Sequence, residues 1–378
     1  MEKELLREAY HRILEGIKIT AASTKGKFPH YADGQTGEWT CSPSGDWTGG
    51  YWNGMLWLAA ASTKDSQYLN WAREWTALLE QRIESKTVFR GFLFYYGAIL
   101  GSILAGDQMA KDIAIRAAKS VASQYNSNAG LIPLGDEAEE ASSVGPTETN
   151  IDGVISSPLL FWASKEIGET SLVDIGINHA LKHIELCIRE DGSVCQSATF
   201  DPSGNLIRRY THKGYSDNST WGRAQAWAMM HFTLSYMWAP HEQKLLDAAI
   251  QVSDWWVRHL PDNGVAFWDF DDPGKPHTNR DTSATAIGAS ALLKLSCLVQ
   301  DEKRGKVYQE TAVKSITRLV SDYLTPTSEQ DRRRPGMLLG GCFNKKLGVA
   351  TESELIWGDY YLFESLGGLL GYFKPNMF

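Results

Sequence analysis

Apolar runs dense enough to be buried on every side alternate along this chain with stretches where apolar residues recur at helical spacing among charged ones. Six times the apolar run opens on the same local recipe, a turn or polar residue followed by small and aromatic residues. The openings are Asp46-Trp47-Thr48-Gly49-Gly50-Tyr51-Trp52, Arg90-Gly91-Phe92-Leu93, Asn150-Ile151-Asp152-Gly153-Val154, Ser219-Thr220-Trp221-Gly222-Arg223-Ala224, Arg280-Asp281-Thr282-Ser283-Ala284 and Ile356-Trp357-Gly358-Asp359-Tyr360. Roughly 45 to 75 residues separate one from the next, room for a long apolar helix, a turn and a second, amphipathic helix. The amphipathic partners read as Gln67 to Glu84, Asp107 to Ser123, Ser171 to Arg189, Glu242 to His259 and Lys303 to Tyr323. This is a helical-hairpin repeat.

Only the sixth opening has no helix after it, and the amphipathic stretch Glu2 to Ile19 supplies the missing partner. The pattern therefore predicts an all-α fold, an (α/α)6 barrel in which six inner and six outer helices form a double toroid. An open helical solenoid is the alternative, and the pairing of the two termini favours closure. Glycine and other small residues at the inner helix starts let neighbouring helices crowd near the axis. No Pro/Gly/Ser-rich linker interrupts the 378 residues, so a single domain over 1–378 is expected.

Charge narrows the partners. The formal net charge of −8 argues against nucleic acid or an anionic membrane, while leaving room for a local basic pocket that takes an acidic small molecule. No apolar run reaches membrane-spanning length, and Met1-Glu2-Lys3-Glu4 reads as the start of a charged helix instead of a signal peptide. Five scattered cysteines without metal-ligand spacing fit a reducing, cytoplasmic setting for a monomer or homodimer. The chain has no Gly-rich phosphate loop, His-Glu-x-x-His or Gly-x-Ser-x-Gly elbow, and no metal or organic cofactor is expected. Fourteen tryptophans, several at the inner helix openings, point instead to a carbohydrate site, because flat aromatic faces suit the C–H faces of sugar rings.

Six segments together carry a more specific signal: Asp46 to Trp52, Phe200-Asp201-Pro202-Ser203-Gly204, Thr211-His212-Lys213-Gly214-Tyr215, Ser219 to Trp227, Arg280 to Ala286 and Ile356 to Tyr361. In order and content they resemble the unsaturated glucuronyl hydrolases of glycoside hydrolase family 88, from about residue 26 to the C-terminus. The resemblance implies an (α/α)6 barrel. It also implies removal of a 4,5-unsaturated uronic acid from the non-reducing end of a lyase-generated oligosaccharide, without metal or cofactor, by hydration of the vinyl ether. The partner it implies is a small acidic oligosaccharide. Related unsaturated rhamnogalacturonyl hydrolases share that chemistry, and a non-catalytic sugar-binding toroid is a further alternative.

The family's catalytic aspartate falls on Asp152, as proton donor and water activator; read without the family, a carboxylate there is an ordinary helix cap. A helix N-terminus favours the anion, whereas a general acid must hold its proton near neutral pH, so burial or a second carboxylate has to oppose it. Yet the usual second aspartate is missing, and Phe89 stands in its slot. Phe89 is expected to act by desolvation, with Glu148 as substitute carboxylate if its loop folds back; Glu137, Glu139 and Glu140 read as a solvated loop. Gln196 replaces a frequent histidine, and Lys213 replaces a glutamine after His212. The resemblance assigns Arg223 to substrate binding and Trp47, Tyr51, Trp221 and Trp227 to the pocket wall, with His212 as a hydrogen-bonding residue. Lys213 and Arg90 are the extra positive charges expected near the mouth, and Asp281 and Asp359 read as helix caps and interhelical hydrogen-bond partners.

Overall fold

In the computed structural model, which describes residues 2–145 and 147–378, the alternation in the sequence becomes two concentric rings of helices. Helix α1 (Glu2–Thr24) runs past the expected Ile19. Strands β1 (Phe28–Ala32) and β2 (Trp39–Ser42) lead into α2 (Gly49–Thr63), and α3 (Ser66–Leu78) follows, capped by the Asp65 carboxylate, which accepts from the Gln67 N–H. Helices α4 (Arg90–Phe94) and α5 (Leu100–Ala105) form one inner helix joined through a π-turn at Tyr95–Ile99, and α6 (Gln108–Ala122) packs outside it. Strand β3 (Thr149–Asn150) enters a 3-10 turn, Ile151–Ile155, before α7 (Ser156–Ile167) and α8 (Ser171–Cys187). The rest are β4 (Ser197–Phe200), β5 (Leu206–Tyr210), α9 (Gly222–Trp238), α10 (Gln243–His259), α11 (Thr282–Ser296), α12 (Glu302–Asp322), β6 (Glu354–Leu355) and α13 (Ile356–Leu370).

Helices α2, α4–α5, α7, α9, α11 and α13 line the axis, while α3, α6, α8, α10, α12 and α1 surround them. The ring closes as the terminal pairing predicts, with α13 packed on α2 and α1 packed on α13 and α12. No helix among the described residues is long and apolar enough to cross a membrane.

Glycine sets how tightly the inner helices approach. A Cβ on Gly50 would lie 2.3 Å from the Phe92 carbonyl oxygen, and one on Gly91 would lie 2.8 Å from the Ser156 nitrogen. Neither neighbour is a flexible side-chain end, so the backbone itself would have to move. Gly50→Ala is expected to destabilise the fold by about 1–3 kcal/mol, read as a lower urea midpoint; an unchanged midpoint would show that the ring is looser than this contact implies.

The strands explain where the site lies. Antiparallel sheet β2-β1-β6 pairs Phe28 with Ser42 and Ala32 with Glu354; sheet β3-β4-β5 pairs Asn150 with Ser197 and Ser197 with Tyr210. Because β2, β3, β5 and β6 each precede an inner helix, both sheets sit at the end of the barrel where those helices start. The charged stretch 329–334 is partly tied down at the same end, with Arg333 and Arg334 donating to the carbonyls of Gly34 and Gly37 at 2.6 and 2.7 Å.

Candidate active site

Asp152 sits on the second residue of the 3-10 turn, one turn before α7 begins. It is not the helix cap: Asn150 holds that position with extended backbone, and Asp152 makes no cap hydrogen bond. The turn is anchored from behind. Ile151 N–H donates to the Gln196 carbonyl at 2.8 Å. His179 Nδ1 accepts from the Ile132 N–H, which leaves Nε2–H to donate to the Gly153 carbonyl at 2.9 Å. His183 donates through Nδ1 to the His179 carbonyl and accepts at Nε2 from the Thr149 hydroxyl, 2.6 Å away. Both imidazoles are therefore neutral with fixed tautomers, and burial drives their pKa down, that of His183 to about 4.

Asp152 opens onto a cavity lined by Trp47, Phe89, Phe92, Glu140, Lys213, Trp221, Arg223 and Trp227. Its volume is only ≈ 10 Å³, about the room of a single water. Next to it, sharing Trp47 and Phe89, lies a vestibule of ≈ 290 Å³ walled by His30, Asp46, Arg82, Thr87, Glu137 and Glu139. The aromatic wall is continuous, with Trp47 and Trp227 centred 5.3 and 5.1 Å from Phe92. Tyr51 stacks beneath Trp227 at 6.2 Å and pairs its hydroxyl with Tyr361, so it supports the wall instead of lining the cavity.

These surroundings resolve the tension over the proton. Burial raises the Asp152 carboxyl first and the neighbouring Glu140 carboxylate raises it further, against the opposing pull of Lys213 and Arg223; the outcome is a pKa of about 7. Among the described residues, Asp152 Oδ1 is buried without a hydrogen-bond partner.

Three charged groups fill the remaining space. Lys213 Nζ lies 2.5 Å from Glu140 and 3.4 Å from Glu139, and 5.1 Å from the centre of the Phe343 ring. Burial alone would lower the Lys213 pKa, but the two glutamates outweigh it and keep the ammonium charged. Glu139 is exposed and also accepts from Trp47 Nε1 at 2.6 Å. Arg223 is buried, pairs with Asp281 at 3.1 Å, and donates to the carbonyls of Cys342 and Phe343. Its guanidinium stacks 4.4 Å from the centre of the Trp221 ring, turning one edge to the cavity wall.

Of the residues singled out in the sequence, Asp152, Trp47, Phe89, Lys213, Trp221, Arg223 and Trp227 meet around one cavity. Gln196 and His212 stand just behind: Gln196 Oε1 accepts the Lys213 N–H at 2.9 Å, and His212 Nδ1 meets the Ser197 hydroxyl at 3.0 Å. Burial and then Lys213 push His212 down to a pKa of about 3, so it is neutral. Two of the charged groups expected at the site lie elsewhere. Arg90 is fully buried and turned away from the mouth, donating to the carbonyls of Thr87 and Ile83 and to Ser120, where it ties the segment before α4 to α6. Glu148 faces the β3-β4-β5 sheet, accepting from the hydroxyls of Thr199 at 2.7 Å and Tyr210 at 3.0 Å, and does not line the cavity at Asp152.

Asp281 caps α11 and pairs with Arg223, as expected, whereas Asp359 lies inside the first turn of α13 and accepts from the Leu338 N–H without capping. Glu140, expected in a solvated loop, is instead buried at 3% exposure, and the sequence reading missed the anchoring pair His179 and His183. The histidines left a readable signal, an i, i+4 pair on the inward stripe of α8. Glu140 left none, since its segment mixes charged, small and turn residues without a periodic apolar face.

A sequence profile for Glycosyl Hydrolase Family 88 matches residues 20–362. The unsaturated glucuronyl hydrolase of Bacillus sp. strain GL1 is 31% identical over 375 residues, spanning 95% of this chain and 97% of that one. A protein of the same name from Formosa agariphila is 33% identical over 332 residues, 86% of this chain and 80% of its own. The crystal structure of the Bacillus sp. GL1 protein, an enzyme responsible for the degradation of glycosaminoglycan, superimposes with a TM-score of 0.87 at 29% identity, over 98% of this chain and 97% of that one.

Proposed function

Given that this chain belongs to glycoside hydrolase family 88, we propose that it removes a 4,5-unsaturated uronic acid, glucuronate in the first instance, from the non-reducing end of lyase-generated oligosaccharides, with Asp152 as acid and base. The observation that carries this reading is the buried Asp152 carboxyl, with a pKa near 7 and a free Oδ1, in an aromatic cavity that also holds two cations. Near neutral pH such a carboxyl is divided between its two forms, as suits a group that first gives a proton and then takes one.

In the derived sequence Asp152 protonates C4 of the C4=C5 bond, and the positive charge that forms at C5 is shared with the ring oxygen. The carboxylate so produced takes a proton from water, whose oxygen bonds to C5 and gives a hemiketal. Cleavage of the C5–ring-oxygen bond leaves a ketone at C5, and the hemiacetal exposed at C1 collapses to an aldehyde, releasing the neighbouring sugar as an alcohol. One water is consumed and Asp152 regains its proton. The uronate carboxylate meets Lys213 and the cavity edge of Arg223. To enter, it displaces Glu139 from its 3.4 Å contact with Lys213 and from Trp47. That opens the partition between the cavity and the vestibule, which together give the space of a sugar ring.

The test is the loss of ultraviolet absorbance of the conjugated C=C on mixing the protein with unsaturated disaccharides from glucuronate-containing and pectin-derived lyase digests. Decay on the glucuronate-containing set is expected; no decay with any sugar, from a folded protein, would overturn the reading. The same assay gives a pH prediction. Asp152 must be protonated to start the reaction, so the rate is expected to fall as pH rises through about 7; a rate that climbs across that window would assign the acid elsewhere.

A further inference from the structure

Glu140 is a glutamate in a polar connection between α6 and β3, and nothing in its neighbourhood along the chain asks for burial. Yet it is 3% exposed, its Oε1 lies 2.5 Å from Lys213 Nζ, and Lys213 is buried as well. Burying an ion pair costs several kcal/mol of desolvation for each charge and rarely repays it in stability, so a fold that retains one beside a reacting carboxyl has a use for it. The pair is also incompletely satisfied. Glu140 Oε2 and Asp152 Oδ1 are both buried without a hydrogen-bond partner among the described residues, and both side chains line the same cavity. Two acceptors left open over a space of ≈ 10 Å³ suit hydroxyl and water donors brought in with a ligand.

We propose that Glu140, held by Lys213, is the second acidic group of this site: it faces the proton of Asp152 and accepts a hydroxyl of the unsaturated ring, work for which Phe89 offers no carboxylate. The inference rests on the proposed function above and deepens it. Phe89, Glu140, Lys213 and Gln196 then act together. Phe89 carries no charge at α4, Glu140 brings the carboxylate from the 136–148 connection, Lys213 pairs it, and Gln196 fixes the Lys213 backbone. In the reaction, negative charge on Glu140, which burial opposes and Lys213 supports, disfavours ionisation of Asp152 before proton transfer and favours the cation that forms at C5 after it.

The experiment is a pH–rate series with the wild type, Glu140→Gln, Glu140→Gln/Lys213→Gln and Glu140→Gln/Phe89→Asp, on the best substrate from the ultraviolet panel. Glu140→Gln is expected to lower kcat by about tenfold to a hundredfold, the lower part of the acid–base range, and to move the falling limb of the profile to lower pH, because Lys213 then acts on Asp152 against Glu139 alone. The double neutralisation leaves no unpaired buried ion, so it keeps the test informative if Glu140→Gln folds poorly; it is expected to lose at least as much kcat and also to raise KM, because Lys213 no longer meets the uronate carboxylate. Returning a carboxylate at Phe89 is expected to recover much of the lost kcat, which a merely structural role for Glu140 would not allow. Wild-type kcat and an unmoved limb in Glu140→Gln, or wild-type kcat in Glu140→Gln/Lys213→Gln where the single variant does not fold, would overturn the inference while leaving the proposed function standing. A wild type that turns over nothing would overturn both.

Discussion

Asp152→Asn is expected to lower kcat by about a thousandfold or more, with a KM close to that of the wild type and an intact fold. The magnitude follows from the two roles of the residue: one positioned proton donor or acceptor contributes about a hundredfold to ten-thousandfold, and here a single carboxyl serves both the protonation at C4 and the activation of water. Asparagine keeps the size of the side chain, and no protein hydrogen bond to Oδ1 is lost because none is made. The variant carries a second readout in stability. The Asp152 carboxyl has a pKa near 7 in the folded chain against an ordinary value of 3.8. Between about pH 4 and pH 7 the folded state therefore holds a proton that the unfolded state has released, and stability falls as pH rises through that window. Asparagine removes that dependence, so wild type and variant should diverge toward pH 7 in urea unfolding, with the variant the more stable. Retention of more than a tenth of wild-type kcat would remove Asp152 from the centre of the reaction.

The architecture was legible because burial is periodic. An apolar run with no polar face must sit inside, a run with one polar face must sit outside, and six alternations with one spare amphipathic segment at the start leave a closed ring as the favoured arrangement. Helix starts such as Arg280-Asp281-Thr282 carried local chemistry that the structure keeps, with the Asp281 carboxylate capping α11. The site was legible only where its residues stand at those starts. Lys213 and Glu140 are 73 positions apart, and neither has a local reason to be buried; each is inside because the other is. Arg90 failed in the opposite sense. At the head of an inner helix it looked like a cation for the mouth, but its acceptors are carbonyls and a hydroxyl contributed by residues 83, 87 and 120, which no spacing rule connects. Long side chains report where their Cα is, not where their charge goes.

The buried pair of Asp281 and Arg223 shows how the barrel and the chemistry depend on the same bonds. Asp281 Oδ1 accepts from the N–H groups of Ser283 and Ala284 and from the Ser283 hydroxyl, while Oδ2 holds Arg223 at 3.1 Å; both residues are essentially inaccessible. Asp281→Ala removes the cap of α11 and leaves a guanidinium buried without its counter-charge. Breaking a buried pair from one side costs about 3–5 kcal/mol, and loss of the cap adds roughly 1 kcal/mol, so a large drop in the urea midpoint is expected. Asp281→Asn keeps a hydrogen-bonding side chain and loses only the charge, and it is expected to fall between Asp281→Ala and the wild type. The folded fraction of either variant should show a further change. With Asp281 neutralised, Arg223 pulls on the Asp152 carboxyl uncompensated and lowers its pKa, so the fall in rate with rising pH begins at a lower pH than in the wild type. A large loss of stability with an unmoved limb would mean that Arg223 turns away from Asp152 once its partner is gone, and that Asp281 holds the guanidinium in the wall of the cavity.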